Sequence, residues 1–153
     1  MRLGIVSDTH GLLRPELFPA LAGVERILHM GDVGKISVLD GLRQIAPVTA
    51  IRGNVDREGP CAELAETDVY LARDRYLYML HNLDELHLNP EAARFAAVLY
   101  GHTHVAGYST RRGVLYFNPG SCGPKRFRLP ATVGLLTVAD DGTLAPEIVT
   151  LDV

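Results

Sequence analysis

At 153 residues the chain has the length of one domain, enough to bury roughly two-thirds of the surface its unfolded form exposes. Hydrophobic residues make up 47% and charged residues 22%, an ordinary globular balance, and every apolar run is far too short to span a membrane. The formal net charge of −3 gives no electrostatic case for a standing nucleic-acid partner, so an anionic substrate has to be attracted locally.

Leu3–Val6 is a short apolar run ending in Ser7-Asp8, the pattern of a buried strand that feeds a polar loop. The residues before it show no charged stretch followed by an apolar helix, so no targeting segment is visible. Pro15–Leu21 reads as a short helix with Pro15 near its first turn. Arg26–Met30 is a second strand stopped by Gly31-Asp32. Lys35–Ile45 carries apolar residues at 36, 38, 39, 42 and 45, a helical stripe, and Val48–Arg52 makes a third strand closed by Gly53-Asn54. This β-α-β-α-β opening implies a parallel sheet with right-handed crossovers.

Glu58–Glu66 has the weakest pattern and reads as a surface loop. Asp68–Ala72 and Tyr76–Leu80 flank Arg73-Asp74-Arg75 as a hairpin. Pro90–Phe95 predicts a short helix capped by Asn89, and Ala97–Tyr100 another buried strand. Val105–Thr110, Val114–Asn118, Thr132–Ala139 and Leu144–Thr150 are strand-like, with turns at Arg111-Arg112-Gly113 and Asp140-Asp141-Gly142. No repeat or linker divides the chain. The expectation is one domain over 1–153, a four-layer α/β/β/α sandwich of two mixed sheets flanked by helices.

Five short segments carry the chemistry: Asp8-Thr9-His10, Gly31-Asp32, Gly53-Asn54-Val55-Asp56, His81-Asn82 and Gly101-His102-Thr103-His104. Each lies at or just after the C-terminal end of a predicted strand, the edge where open α/β sheets bind ligands. With Asp56 as a spare behind them, Asp8, His10, Asp32, Asn54, His81, His102 and His104 make seven metal-ligand side chains, more than one ion needs and about right for two, which points to a two-metal hydrolase acting at phosphorus. Singly, each segment has an ordinary reading. Asp8 can cap its turn with His10 solvated, Gly31-Asp32 and Gly53-Asn54 can be plain turns, and the other histidines can be half-buried or exposed. His29, inside a strand, and His87, in an unrelated loop, read as structural or solvated.

The ordered series, each member at a strand end, resembles the calcineurin-like metallophosphoesterase superfamily. It is most similar to the compact, cap-free phosphodiesterase subgroup, which also resembles the retromer subunit Vps29. The resemblance runs from Leu3 to about Thr150, and Asn118-Pro119-Gly120-Ser121 after the last histidine pair adds to it. It implies that Asp8, His10 and His104 serve one metal, that Asn54, His81 and His102 serve the other, and that Asp32 bridges them. Asp56 would stand behind the ligands, and a metal-bridging hydroxide, held by Asp32 with Asn54 and His102 near the phosphate, would be the nucleophile. Two divalent ions, less two carboxylates and that hydroxide, leave about one positive charge to draw an anionic ester into an acidic protein. Mixed imidazole and carboxylate ligation favours manganese, iron, zinc, cobalt or nickel over magnesium or calcium, and manganese is the first expectation among them.

Two positions depart from the family pattern. Val55 stands where larger members have a histidine that assists the leaving group, so activity is expected to depend strongly on leaving-group acidity. Asn82 replaces the glycine that usually follows the ligand histidine, and a positive φ at Asn82 would let His81 reach the metal. Pro124–Arg128 is the only local basic cluster, so Lys125 and Arg126 are candidate substrate contacts, a solvated loop being the alternative. Cys122 reads as a packing residue, and Cys61 and Cys122 as reduced thiols of a cytoplasmic protein. Tyr100 and Tyr116 read as core. The expected activity is hydrolysis of small phosphorylated substrates, diesters first. The rival readings are a monoesterase or nucleotidase with the same site and a non-catalytic, Vps29-like scaffold. The resemblance also implies self-association through exposed strands or loops.

Overall fold

In β1 (Arg2–Val6) the two faces of a strand meet different partners, and this sets the architecture. Leu3 and Ile5 point into an apolar layer shared with a second sheet, whereas Val6 turns to the opposite face, where two short helices pack. The computed structural model describes residues 1–153. After β1 come α1 (Leu17–Ala20), β2 (Arg26–His29), α2 (Ile36–Leu42) and β3 (Val48–Ala50). A hairpin of β4 (Thr67–Ala72) and β5 (Arg75–Leu80) follows, then β6 (Ala97–Leu99), β7 (Gly107–Arg111) and β8 (Val114–Asn118). β9 (Thr132–Val138) and β10 (Leu144–Thr150) close the chain.

Both sheets are five-stranded and mixed, in the orders β10-β9-β1-β2-β3 and β4-β5-β6-β8-β7. β1, β2 and β3 are parallel, with Ile5 opposite Leu28 and His29 opposite Ala50. β5, β6 and β8 are parallel in the second sheet, with Met79 opposite Leu99 and Leu99 opposite Phe117. Between the sheets lie Leu3, Ile5, Leu28, Met30, Leu77, Met79, Leu99, Phe117 and Leu136, all fully buried. Each such side chain contributes about 1.5–3 kcal/mol, so this layer dominates the fold's stability. These parallel strands carry their C-terminal ends to the five polar segments.

The expected sandwich is present, but its helices are shorter. Pro15–Leu21 reduces to α1 because Pro19 has no N–H to donate, and the residues before it close i→i−3 bonds instead. Lys35–Ile45 reduces to α2, which tightens after Leu42 through Gln44 N–H to Gly41 O and Ile45 N–H to Leu42 O. Pro90–Phe95 is a single turn rather than a helix. Asn89 caps it by accepting from Ala92 N–H at 3.2 Å, and Arg94, at φ 63°, ends it. The outer layer over the second sheet is therefore this turn plus a 3₁₀ turn at Leu83–Glu85, packed on Leu80, Val98 and Val114. Tyr100 and Tyr116 lie half-buried against the same cluster. β3 ends at Ala50 because Arg52 N–H is taken by Ala65 O at 2.9 Å. Within the Glu58–Glu66 loop, Pro60–Glu63 form one 3₁₀ turn that buries Cys61. No helix is long and apolar enough to cross a membrane.

Candidate metal centre

Five of the expected ligand residues have left-handed backbones: Asp8 (φ 57°), His10 (46°), Asp32 (54°), His102 (72°) and His104 (65°). For residues other than glycine this region costs of order 1 kcal/mol or more, and it persists only where neighbours over-determine it. Here the loops bond to one another. Asp8 N–H donates to Gly31 O at 3.0 Å, His10 N–H to Asp32 O at 2.9 Å, and Gly101 N–H to His81 O at 2.9 Å. His102 N–H reaches Asp8 Oδ2 at 3.1 Å. Two glycines permit the approach: a Cβ at Gly53 would overlap Asp32 Oδ1, and one at Gly101 would overlap Ser7 Oγ.

The side chains gather into two groups, Asp8-His10-His104 and Asp32-His81-His102, with the ligand atoms of each group within 4.8 Å of one another. Asp32 Oδ2 lies 3.3 Å from His81 Nε2 and 3.6 Å from His10 Nε2, between the two groups. Asp8 Oδ1 lies 3.4 Å from His104 Nε2 and 3.8 Å from both His10 Nε2 and His81 Nε2. Asp8 Oδ1, His10 Nε2, His81 Nε2 and His104 Nδ1 are buried yet have no hydrogen-bond partner. Leaving polar atoms unpaired costs roughly 1–3 kcal/mol each. The spacings are close to the about 3–3.5 Å expected between ligands that each sit about 2.1 Å from one ion, so the donor set fits metal ions. Asn54 joins the second group through its Oδ1, 3.1 Å from His102 Nδ1.

Electrostatics sharpen this arrangement. Burial alone would raise the Asp8 carboxyl, but His104 and Ser7 at its oxygens, with His81 nearby, hold it below its ordinary value. Burial likewise opposes ionisation of Asp32, yet the His81 imidazole, the Val55 N–H and the charges of His81 and His10 bring it down to about 2. Burial would lower His81; contact with Asp32, the charge of Asp8 and the Met30 carbonyl raise it instead. Two carboxylates kept ionised in a largely buried pocket present a standing demand for positive charge.

The second layer fixes orientation. His81 Nδ1–H donates to Met30 O at 2.7 Å, which leaves Nε2 to face the carboxylates. Asp56 enters neither group; it accepts from Val33 N–H (3.1 Å), Gly34 N–H (3.0 Å) and Gly53 N–H (2.9 Å), tying the second ligand loop to the third. Asn118 donates to Gly101 O and Thr103 Oγ1, both at 3.1 Å, while Ser121 Oγ–H donates to Asp8 O at 3.0 Å. The Asn118–Ser121 segment is thus a brace under two ligand loops. His29 is fully buried in a chain of bonds: Gly31 N–H to its Nδ1 (3.1 Å), its Nε2–H to Thr9 Oγ1 (3.0 Å), and Thr9 Oγ1–H to Val33 O (2.9 Å). Burial lowers its pKa to about 4, so it stays neutral. Cys122 is fully buried, its thiol is pushed up to about 12 by that burial, and both cysteines are free.

Three expectations change. Asn82 has φ −111°, not a positive value; its side chain accepts from Asp84 N–H at 3.0 Å and caps the 3₁₀ turn, while His81 reaches the centre through its own strand end. Lys125 is engaged elsewhere, donating to Val153 O at 2.8 Å, and neither it nor Arg126 lines a cavity at the centre. The cation that does so is Arg52, which ends the third strand segment and was missed because nothing around it forms a basic pattern. A cavity of about 390 Å³ opens beside the second group, walled by Arg52, Asn54, Glu66, His81 and His102. His87, set aside in the sequence as an unrelated loop residue, lines it too.

A family model for the calcineurin-like phosphoesterase superfamily domain matches residues 1–141. The chain is 30% identical over 130 residues to a probable metallophosphoesterase, MJ0623 of Methanocaldococcus jannaschii, covering 79% of this chain and 68% of that protein. It is 29% identical over 167 residues to the phosphodiesterase YfcE of Escherichia coli, with 89% and 87% of the two chains covered. Its fold is similar to that of a single mutant of Vps29 from Entamoeba histolytica, with a TM-score of 0.77, 20% identity, and coverage of 99% and 100%.

Proposed function

The chain belongs to the calcineurin-like phosphoesterase superfamily, and on that premise we propose that it is a binuclear metal-dependent phosphodiesterase. The observation that carries this reading is the set of three buried, unpartnered atoms, Asp8 Oδ1, His10 Nε2 and His81 Nε2, gathered around Asp32. Asp8, His10 and His104 would hold one ion and Asn54, His81 and His102 the other, with Asp32 available to both. When bound, two divalent ions, manganese first and iron, zinc, cobalt or nickel as alternatives, activate water at neutral pH and stabilise charge on the phosphoryl group.

The chain's own residues do the rest. Asp8 and Asp32 supply the negative charge that retains the cations, and their lowered pKa values keep it present at neutral pH. His81, locked through Nδ1, presents a fixed Nε2. Asn54 and His102 stand where the centre meets the cavity, so they contact the phosphate of a bound ester. Arg52, paired with Glu66 at 2.8 Å, places a guanidinium donor in that wall. The likeness to YfcE supports diesters over monoesters. Two buried free thiols support a reducing, cytoplasmic setting.

A screen of diesters, monoesters and cyclic nucleotides with each metal in turn tests the reading. Metal-dependent hydrolysis, strongest on diesters, is expected, and Asp32→Ala or His102→Ala should abolish it. Full activity in either variant would overturn the assignment, and silence of the parent with every metal would shift it to a scaffold.

A further inference from the structure

The cavity beside the second ligand group raises a question of proton supply. An alkyl phosphodiester releases a strongly basic alkoxide unless a proton arrives as the P–O bond breaks, and a positioned general acid contributes typically 10²–10⁴-fold. Val55, 47% exposed, cannot supply one. Of the polar groups around the cavity, His81 has committed Nδ1 to Met30 O, and His102 has committed Nδ1 to Asn54 Oδ1. Arg52 and Glu66 are paired at 2.8 Å. Glu85 is an exposed carboxylate, a hydrogen-bond acceptor when ionised. His87 remains, with an imidazole that makes no hydrogen bond or ion pair, in a cavity whose size suits a small ester.

The local chain explains why His87 is there. After His81, Asn82 caps the 3₁₀ turn through Asp84 N–H, and Glu85 N–H returns to Asn82 O at 3.0 Å. Leu83 and Leu86 anchor that turn on Leu80, Val98 and Val114. Six residues beyond a ligand histidine, the chain is thus brought back to the same cavity. The residue that breaks the family's glycine pattern builds the turn that carries a histidine to a site lacking one at Val55.

We propose that His87 is the general acid of this enzyme, protonating the departing alcohol; the inference rests on the phosphodiesterase reading above. Hydroxide derived from water adds to phosphorus, and the P–O bond to the alcohol breaks with its electron pair going to the alcohol oxygen. The His87 imidazolium gives that oxygen its proton and regains one from solvent, so diester and water become monoester and alcohol. Steep dependence on leaving-group acidity, expected from Val55, then belongs to a variant without His87 and not to the parent.

The experiment compares parent, H87Q and N82A, each loaded with manganese, on diesters running from p-nitrophenyl to alkyl leaving groups. H87Q should lose about 100-fold more rate on the alkyl ester than on the p-nitrophenyl ester. N82A, with a loosened turn, should shift the same way by less. Equal losses across the series, or an unchanged alkyl rate in H87Q, would overturn the role of His87 while leaving the phosphodiesterase reading intact. A parent inactive on every ester would overturn both. Because His87 is exposed, metal content and melting temperature of H87Q should match the parent, and a drop in either would assign it a structural role instead.

Discussion

Lowering the pH from 6.5 to 4 should destabilise the metal-free protein by about 3 kcal/mol, most of it through His29. His29 titrates near 6.5 when unfolded and near 4 when buried in the fold, and each unit of difference is worth about 1.4 kcal/mol. Because its folded pKa is depressed, its contribution is fully present above 6.5 and is lost as pH falls toward 4, where the folded form finally binds the proton. The other shifted groups stay quiet in this window. His81, with a raised folded pKa, makes a contribution already complete below 6.5, and Asp8 and Asp32 begin to lose theirs only below 3.8. Replacing His29 by Gln keeps an acceptor for Gly31 N–H and a donor for Thr9 Oγ1 but removes the titration. Urea unfolding of chelator-treated protein at pH 7 and pH 4.5 measures the difference. The parent should lose well over 1 kcal/mol between the two, and H29Q little. An H29Q slope equal to the parent's would refute the assignment of His29 as a buried neutral link.

Gly53→Ala should disrupt the centre without touching a ligand, because the added methyl overlaps Asp32 Oδ1. Activity should fall to background and manganese should no longer raise the melting temperature; a variant that still binds manganese like the parent would show that Asp32 can move. Asp56→Ala strands three N–H donors, those of Val33, Gly34 and Gly53, and should cost on the order of 3 kcal/mol, lowering the melting temperature by about 6–12 °C. A calorimetric shift under 2 °C would argue against the bracing role.

How much of this was legible in the sequence differs from residue to residue. The strands were, because Leu3–Val6, Val114–Asn118 and Leu144–Thr150 carry local apolar patterns that packing preserves. The helices were legible only in position. Pro19 and the positive φ of Arg94 shorten two of them through backbone chemistry that a side-chain stripe does not report. Asp8, His10, Asp32, His81, His102 and His104 stand out in the sequence by their order at strand ends, and in the fold they lie in two adjoining groups. Lys125, chosen because basic residues cluster around it, turns to Val153 instead.

The sequence by itself determined the donor types, their order and the strands that carry them, since each depends on a few neighbouring residues. Only the tertiary structure decided which donors meet, because the two sheets place segments tens of residues apart against one pocket. It alone revealed the left-handed backbones at Asp8 and His102, the neutral His29 beneath two loops, and His87 in the cavity beside the second ligand group. A hydrogen bond or cavity across 20 to 100 residues has no local signature, and in this protein those long-range contacts aim the chemistry.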